Sequence, residues 1–407
     1  MATKSFISLK DSFIYETNYV INIGSKVFIC PFIGRSKHAI FCFGVTCALL
    51  CLTILQLTAT LIISKFEDWF EIVNVAPNLG VCILILIKYI KIHTNQNIYD
   101  NILNHFKNDV WDVVDTESKE HKYILKRYTK IARIIVRFEY YYMIVLVSII
   151  ILAPRIYMIC DTKILGNNVQ YFYPFDGWYP FDKVEWYNAV YIWESLMTTI
   201  VIILYMFGSI MHTSFTIYIC MELMILGNTM KELISREDCR NISKKLFVQE
   251  THDNIKKNLK IIIKRHQLLI SMVADFDNVL GFAMLLIYIF GSVFICLTIL
   301  TALKIDDLYK SLRYFSFFCS LLVEVFMQCI MGQLLIDHSE SLEQAIYFSY
   351  WSYTDEETKR MLIIFLIRAQ RPLTLSAKGY LIMNLNTFGG VCSLSYQFFN
   401  VLRSAYL

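Results

Sequence analysis

Charge is scarce in this sequence. Only 18% of its 407 residues are Asp, Glu, Lys or Arg, and the formal net charge is +4. With 56% hydrophobic residues and a mean hydropathy of +0.49, that excludes an ordinary soluble domain of this size. It also implies no nucleic-acid partner. No Cys-x-x-Cys pair occurs, and most of the twelve cysteines (Cys42, Cys47, Cys51, Cys82, Cys296, Cys319, Cys329, Cys392 among them) sit in apolar runs. Only Cys160 falls in an expected extracellular loop, so no disulfide framework is expected. The start has no basic segment, compact apolar run or small-residue cleavage site, so no cleaved signal peptide is expected. Phosphate loops and Gly-x-Ser-x-Gly are missing, and no two of the eight histidines have metal-ligand spacing. The expectation is therefore no enzyme, no metal and no cofactor.

Long apolar runs are what the chain does have. Residues 39–64 carry no charge before Lys65 and are long enough to cross a bilayer. Further spans are expected at 72–90, 134–152, 186–212, 279–303 and 312–336. Pro77 and Gly80 mark a bend in the second span. Between the spans lie mixed-charge, helix-prone segments at 91–132 and 213–277, read as cytosolic extensions of the spans they join. Segment 154–185 is rich in Pro, Gly, Asn and aromatics, as expected of a cap at the membrane interface. After span six, 337–378 holds a short helix at 356–370, stopped by Pro372. The fold class is thus an all-α membrane protein of seven transmembrane helices: a terminal segment at 1–38, spans one to six within 39–336, the segment 337–378, and span seven at 379–407.

That last span is the most informative. Asn386, Gly390, Ser393, Gln397, Val401 and Ser404 recur at steps of three or four, so they share one helical face, and all but Val401 are small or polar. A spanning helix with one wet stripe must turn it to protein or to water. Packing against neighbouring helices and lining a water-filled path both satisfy this.

The positive-inside rule orients the bundle. About 29 Lys and Arg flank the spans on the side of the N-terminus, against about 8 on the other. The N-terminus is therefore expected in the cytosol and the C-terminus outside, the reverse of a G-protein-coupled receptor. Span seven also lacks an Asn-Pro-x-x-Tyr, and span three has no acidic-Arg-aromatic triplet, offering Arg137-Phe138-Glu139 instead.

Three groups of side chains could wall a ligand pocket in the outer parts of the spans. Tyr187, Tyr191, Glu194 and Thr198 share a face of span four. Tyr142, Leu146 and Ile149 lie in span three, and Tyr314, Phe315 and Phe318 in span six. A carboxyl such as Glu194 is costly there unless it meets water, a partner or a ligand. The plainer role for these aromatics is helix-to-helix core. Burying about 250 Å² of a small apolar molecule at roughly 25 cal/mol per Å² yields about 6 kcal/mol, which implies micromolar recognition. Glu324, with Gln328 one turn on, is a second costly carboxyl, expected to pack against span four or five. His212 is expected at the inner interface.

The C-terminal segment resembles the insect odorant receptors. The match rests on Trp351, then Arg368, Gln370, Pro372 and Leu373, then Ser395, Tyr396, Phe399, Leu402 and Arg403, in order over roughly 60 residues. Trp178-Tyr179-Pro180-Phe181-Asp182 is similar to that family's loop between spans three and four. The resemblance implies a tetrameric, odorant-gated, non-selective cation channel in the plasma membrane of a sensory dendrite, with small hydrophobic volatiles bound among spans two to six. It implies structural anchors at Trp351, Arg368, Pro372 and Tyr396, and a pore lined by span seven, with Ser393 and Gln397 on the path and the gate at Val401, Ser404 and Ala405. The co-receptor of that family has a longer inner loop between spans four and five and a different last run, so this chain resembles a ligand-tuned subunit that needs the co-receptor. Gustatory receptors, which carry Thr-Tyr and then Gln-Phe in the last span, are the alternative; Arg403 and Ser404 break that pattern.

Overall fold

In lipid every backbone N–H and C=O must be satisfied within the segment, so the apolar runs fold as helices. The computed structural model describes residues 2–26, 37–63, 69–112, 114, 118–163, 171–175, 177–304 and 308–406. The expected turn at Lys65, Glu67 and Asp68 lies outside them. An N-terminal helix, α1 (Ala2–Lys26), precedes α2 (Lys37–Ile63), α3 (Trp69–Thr94) and the short α4 (Gln96–Lys107). The long helices α5 (Lys119–Lys163) and α6 (Tyr187–Glu232) follow, then α7 (Arg236–Ser243), α8 (Val248–Lys304) and α9 (Leu308–Tyr347). The chain ends with α10 (Glu356–Ala369), a two-stranded hairpin of β1 (Ser376–Ala377) and β2 (Leu381–Ile382), and α11 (Leu385–Tyr406).

Spans three to six are longer than a bilayer requires. The 57 residues of α8 reach about 86 Å at 1.5 Å per residue, against about 30 Å of hydrocarbon. The mixed-charge segments read above as extensions continue the spans in α5, α6 and α8, whereas α9 runs on to Tyr347, into the segment 337–378. The extension of span two instead breaks near Asn95 into α4 before α5 begins. The central helix is α6, buried nearly all round between Leu204 and Leu226. Phe13 of α1, Tyr99 and Phe106 of α4, Phe215 and Tyr218 of α6 and Phe276 of α8 pack into its principal core. A second core joins the far ends of α6, α8 and α9 to α10 through Met230, Leu259, Ile262, Leu342, Leu362 and Phe365.

Among the described residues six helices are long and apolar enough to cross a membrane: α2, α3, α5, α6, α8 and α9. The seventh, α11, has 22 residues, about 33 Å of helix, but its polar stripe keeps it out of that set. It also starts later than the expected boundary. Residues 379–384 complete the hairpin, in which Ser376 pairs with Ile382 and Ala377 with Leu381. Lys378 and Gly379 take φ of +58° and +77°, and Tyr380 N–H donates to Ala377 O at 3.1 Å, closing a turn that α-helix would not allow.

This hairpin ties α11 to its neighbours. Asp277 of α8 accepts from Ser376 N–H, and Ser339 of α9 accepts from Leu373 N–H at 2.9 Å. Gly281 and Gly332 make room for it. A Cβ on Gly281 would stand 2.9 Å from Lys378 N, and one on Gly332 would overlap the Met383 carbonyl. Every cysteine among the described residues is free; Cys160 falls inside α5 rather than in a loop.

Candidate functional site

A cavity of about 610 Å³ opens among α2, α3, α5, α6 and α9, within the size range of small-molecule pockets. Its walls are mostly apolar. The structure brings Tyr142, Leu146, Ile149, Thr198 and Tyr314 to it from three helices. The other five expected residues lie elsewhere. Tyr187 donates to Phe172 O at 3.2 Å, and Tyr191 donates to Ile151 O with the Arg155 guanidinium over its ring. Phe315 is half exposed and packs on Phe318, away from the cavity. Among the described residues span five contributes no wall residue, whereas span one contributes Thr53 and Leu57. Residues not expected from the sequence include Phe138, Tyr205 and Met197.

Glu194 is fully buried but faces the loop instead of the cavity. Its Oε2 accepts from Phe175 N–H at 3.0 Å and its Oε1 from Tyr179 OH at 3.1 Å. Trp178 N–H donates to Thr60 Oγ1 at 2.9 Å, and Tyr309 OH donates to Tyr173 O at 3.4 Å. The aromatic segment after α5 is thereby folded over one end of the cavity, with Pro174 and Phe175 in the roof. The carboxyl that looked costly in lipid is an acceptor for that loop.

The opposite end is polar. Glu139 of α5, Tyr205 and Ser209 of α6, and Glu324 of α9 line it. Glu324 accepts from Gln328 Nε2 at 2.5 Å and stands 4.0 Å from Lys88 Nζ. Its cross-helix partner therefore comes from span two, not from span four or five. Lys88, within the second span, is buried in the bundle. His212, expected at the inner interface, is buried and stacked on Phe276, with ring centroids 5.2 Å apart.

The second candidate feature is the outer face of α11. Val391 and Ser395 are buried and Phe388 packs on Phe326, so this side meets α8 and α9. Asn386, Gly390, Ser393, Gln397, Val401 and Ser404 are all exposed, Val401 at 64%. Among the described residues no helix of the same chain covers the stripe. The side chain of Ala405 lies outside the described residues. Of the expected anchors, Arg368 donates to Arg371 O at 2.9 Å and Pro372 follows α10, while Trp351 and Tyr396 are exposed.

Comparison with known proteins bears on these features. A family model described as 7tm Odorant receptor matches residues 70–396. The chain belongs to the odorant receptor family. Its seven-helix, multi-pass membrane architecture is that family's, and the family is one of receptors, not enzymes. Odorant receptor 49a of Drosophila melanogaster is 32% identical over 145 residues, 36% of this chain and 37% of that protein. The odorant receptor coreceptor of Anopheles gambiae is 26% identical over 167 residues, 41% of this chain and 35% of that one. The chain thus aligns with little more than a third of the length of these curated relatives. The solved insect olfactory receptor OR5 of Machilis hrabei in complex with eugenol superposes with a TM-score of 0.77 at 15% identity, covering 97% of this odorant receptor and 99% of that chain. A second solved structure of the same receptor gives 0.76.

Proposed function

We propose that this chain is the ligand-tuned subunit of a heteromeric, odorant-gated, non-selective cation channel. The observation that carries the reading is the bare polar stripe of α11. A spanning helix cannot leave Asn386, Ser393 and Gln397 against lipid, and among the described residues no helix of its own chain covers them. Around a symmetric assembly the same stripe from each subunit encloses a hydrated path. Val401 and Ser404 stand in the last turns, where an apolar ring blocks ions by dewetting until it widens; Ala405 is the third residue of this gate. Arg403 turns off the lumen towards headgroups, since a cation at the mouth would oppose cation flow.

The cavity supplies the input. It binds small hydrophobic volatiles through Tyr142, Leu146, Ile149, Thr198 and Tyr314. Ligand opens the channel only by binding the open arrangement more tightly than the closed one. The exposed apolar side chains of Ile363, Ile364 and Ile367 on α10 favour burial against other subunits, one of them the odorant receptor co-receptor. The N-terminus is cytosolic, the C-terminus extracellular, and the site of action the plasma membrane of a sensory dendrite.

The test is whole-cell current in a heterologous cell under a panel of volatiles, with and without the co-receptor. Odorant-evoked cation current only when both chains are present is expected. Correct surface delivery of both chains with no evoked current would overturn the reading.

A further inference from the structure

We infer that Glu139 makes the cavity selective for ligands that carry a hydrogen-bond donor: alcohols and phenols over ethers of the same size. This rests on the cavity being the odorant pocket. The polar end of the cavity holds two carboxyl groups, on α5 and α9, but they are not equivalent. Glu324 is provided for by Gln328 Nε2 at 2.5 Å and Lys88 Nζ at 4.0 Å. Glu139 is only 3% exposed, forms part of the cavity wall, and uses one oxygen, Oε1, to accept from Thr213 Oγ1 at 3.0 Å. Its Oε2 has no hydrogen-bond partner among the described residues.

No described side chain hydrogen-bonds that oxygen, and Lys88 Nζ, whose charge acts on both carboxyls, also has no hydrogen-bond partner. Lys88 lies closest to Glu324 and under the Tyr205 ring at 5.2 Å. Arg137, one half-turn away on α5, is turned to Glu16 at 3.6 Å and to the Tyr19 ring. His212 is stacked on Phe276. Tyr142 OH, the nearest hydroxyl along α5 in the wall, is shared with Ser320 Oγ at 2.9 Å. A buried acceptor without a donor is expensive, so a ligand that brings a donor gains that cost back, and one that does not leaves it in place. Arg313, at the roofed end, already donates to Tyr173 O and lies over the Tyr309 and Tyr314 rings. A ligand with its hydroxyl at Glu139 therefore places its apolar body along Tyr142, Leu146 and Thr198 towards the loop.

Isomeric pairs isolate the donor from size: octanol against heptyl methyl ether, and para-ethylphenol against para-methylanisole. Dose–response curves are recorded for the chain with its co-receptor. The hydroxyl isomer is expected to be about ten-fold more potent in each pair, the discrimination of one hydrogen bond to a carboxylate. Glu139→Leu should bring each pair to within about two-fold while ether responses persist, and Glu139→Gln should fall between, since its amide still accepts weakly. Ethers equal to or better than hydroxyls in the unmodified chain would overturn the inference, as would a preference that survives Glu139→Leu. The unmodified pair alone decides if a variant fails to reach the surface. Silence to every compound, with both chains at the surface, would instead sink the receptor reading and this one with it.

Discussion

The carboxylate of Asp277 holds Ser376 twice, accepting from its backbone N–H at 2.6 Å and from its hydroxyl at 2.8 Å. The same hydroxyl accepts from Gly379 N–H at 2.8 Å. One side chain on α8 therefore fixes the turn through which the chain enters α11. Hydrogen bonds to a charged group contribute about 1.5–3 kcal/mol each where they are not replaced by water. Asp277→Ala is expected to lower the melting temperature of the detergent-solubilised protein by several degrees, and Ser376→Ala by less, because the backbone bond survives. Equal melting of Asp277→Ala and the unmodified chain would show that the hairpin is held otherwise.

Gly332 should tolerate no larger side chain. A Cβ there overlaps the main chain of Met383, which cannot yield without moving the start of α11. Gly332→Val is expected to reach the surface in reduced amount and to lose most odorant-evoked current per surface copy. Normal current per copy, by surface biotinylation alongside recording, would count against this coupling.

Releasing the roof of the cavity should alter sensitivity. Glu194→Ala removes the acceptor for Phe175 N–H and Tyr179 OH and leaves the buried Phe175 N–H without it. A shift of odorant potency by about ten-fold or more is expected. Glu194→Gln, which keeps one acceptor oxygen, should shift it less. Superimposable dose–response curves for all three would mean that the roof plays no part in access or binding.

Widening the gate should raise basal current. Val401 sits on the bare face of α11 and ranks with Ser404 in its last turns. Val401→Ala is expected to increase leak current in the absence of odorant, since a smaller apolar ring no longer excludes water. Water-borne thiol reagents should also reach cysteines placed at Ser393 and Gln397. An unchanged basal current together with unreactive cysteines would remove α11 from the ion path.

Acid should loosen the contact between α8 and α10. His266 is buried beside Phe365, and that burial, aided by the Arg368 guanidinium, pushes its pKa down to about 4 from an ordinary 6.5. The folded state therefore holds the ring neutral where the unfolded chain would already bind a proton. Stability contributed here is intact above about pH 6.5 and is lost as the pH falls towards 4. Limited proteolysis around α10 should accelerate over that window in the unmodified chain and much less in His266→Phe.

The apolar runs and the polar face of the final helix were legible in the sequence because each is a property of one segment. Length against bilayer thickness reports a span, and steps of three or four residues report a face. The order of Trp351, Arg368, Pro372 and Tyr396 carried the resemblance in the same local way. Which face of each earlier span meets the cavity was not legible. A helix in lipid is apolar all round, so its periodicity does not separate the side chains that face protein from those that face lipid. Phe315 and Tyr314 are neighbours with the same composition signal, yet only Tyr314 reaches the cavity. Tertiary packing alone decided that Glu194 serves the loop, that Lys88 stands beside Glu324 across two helices, and that Glu139 keeps a free oxygen. Those partners come from different segments of the chain, and nothing in the spacing along one segment encodes a distance between two of them.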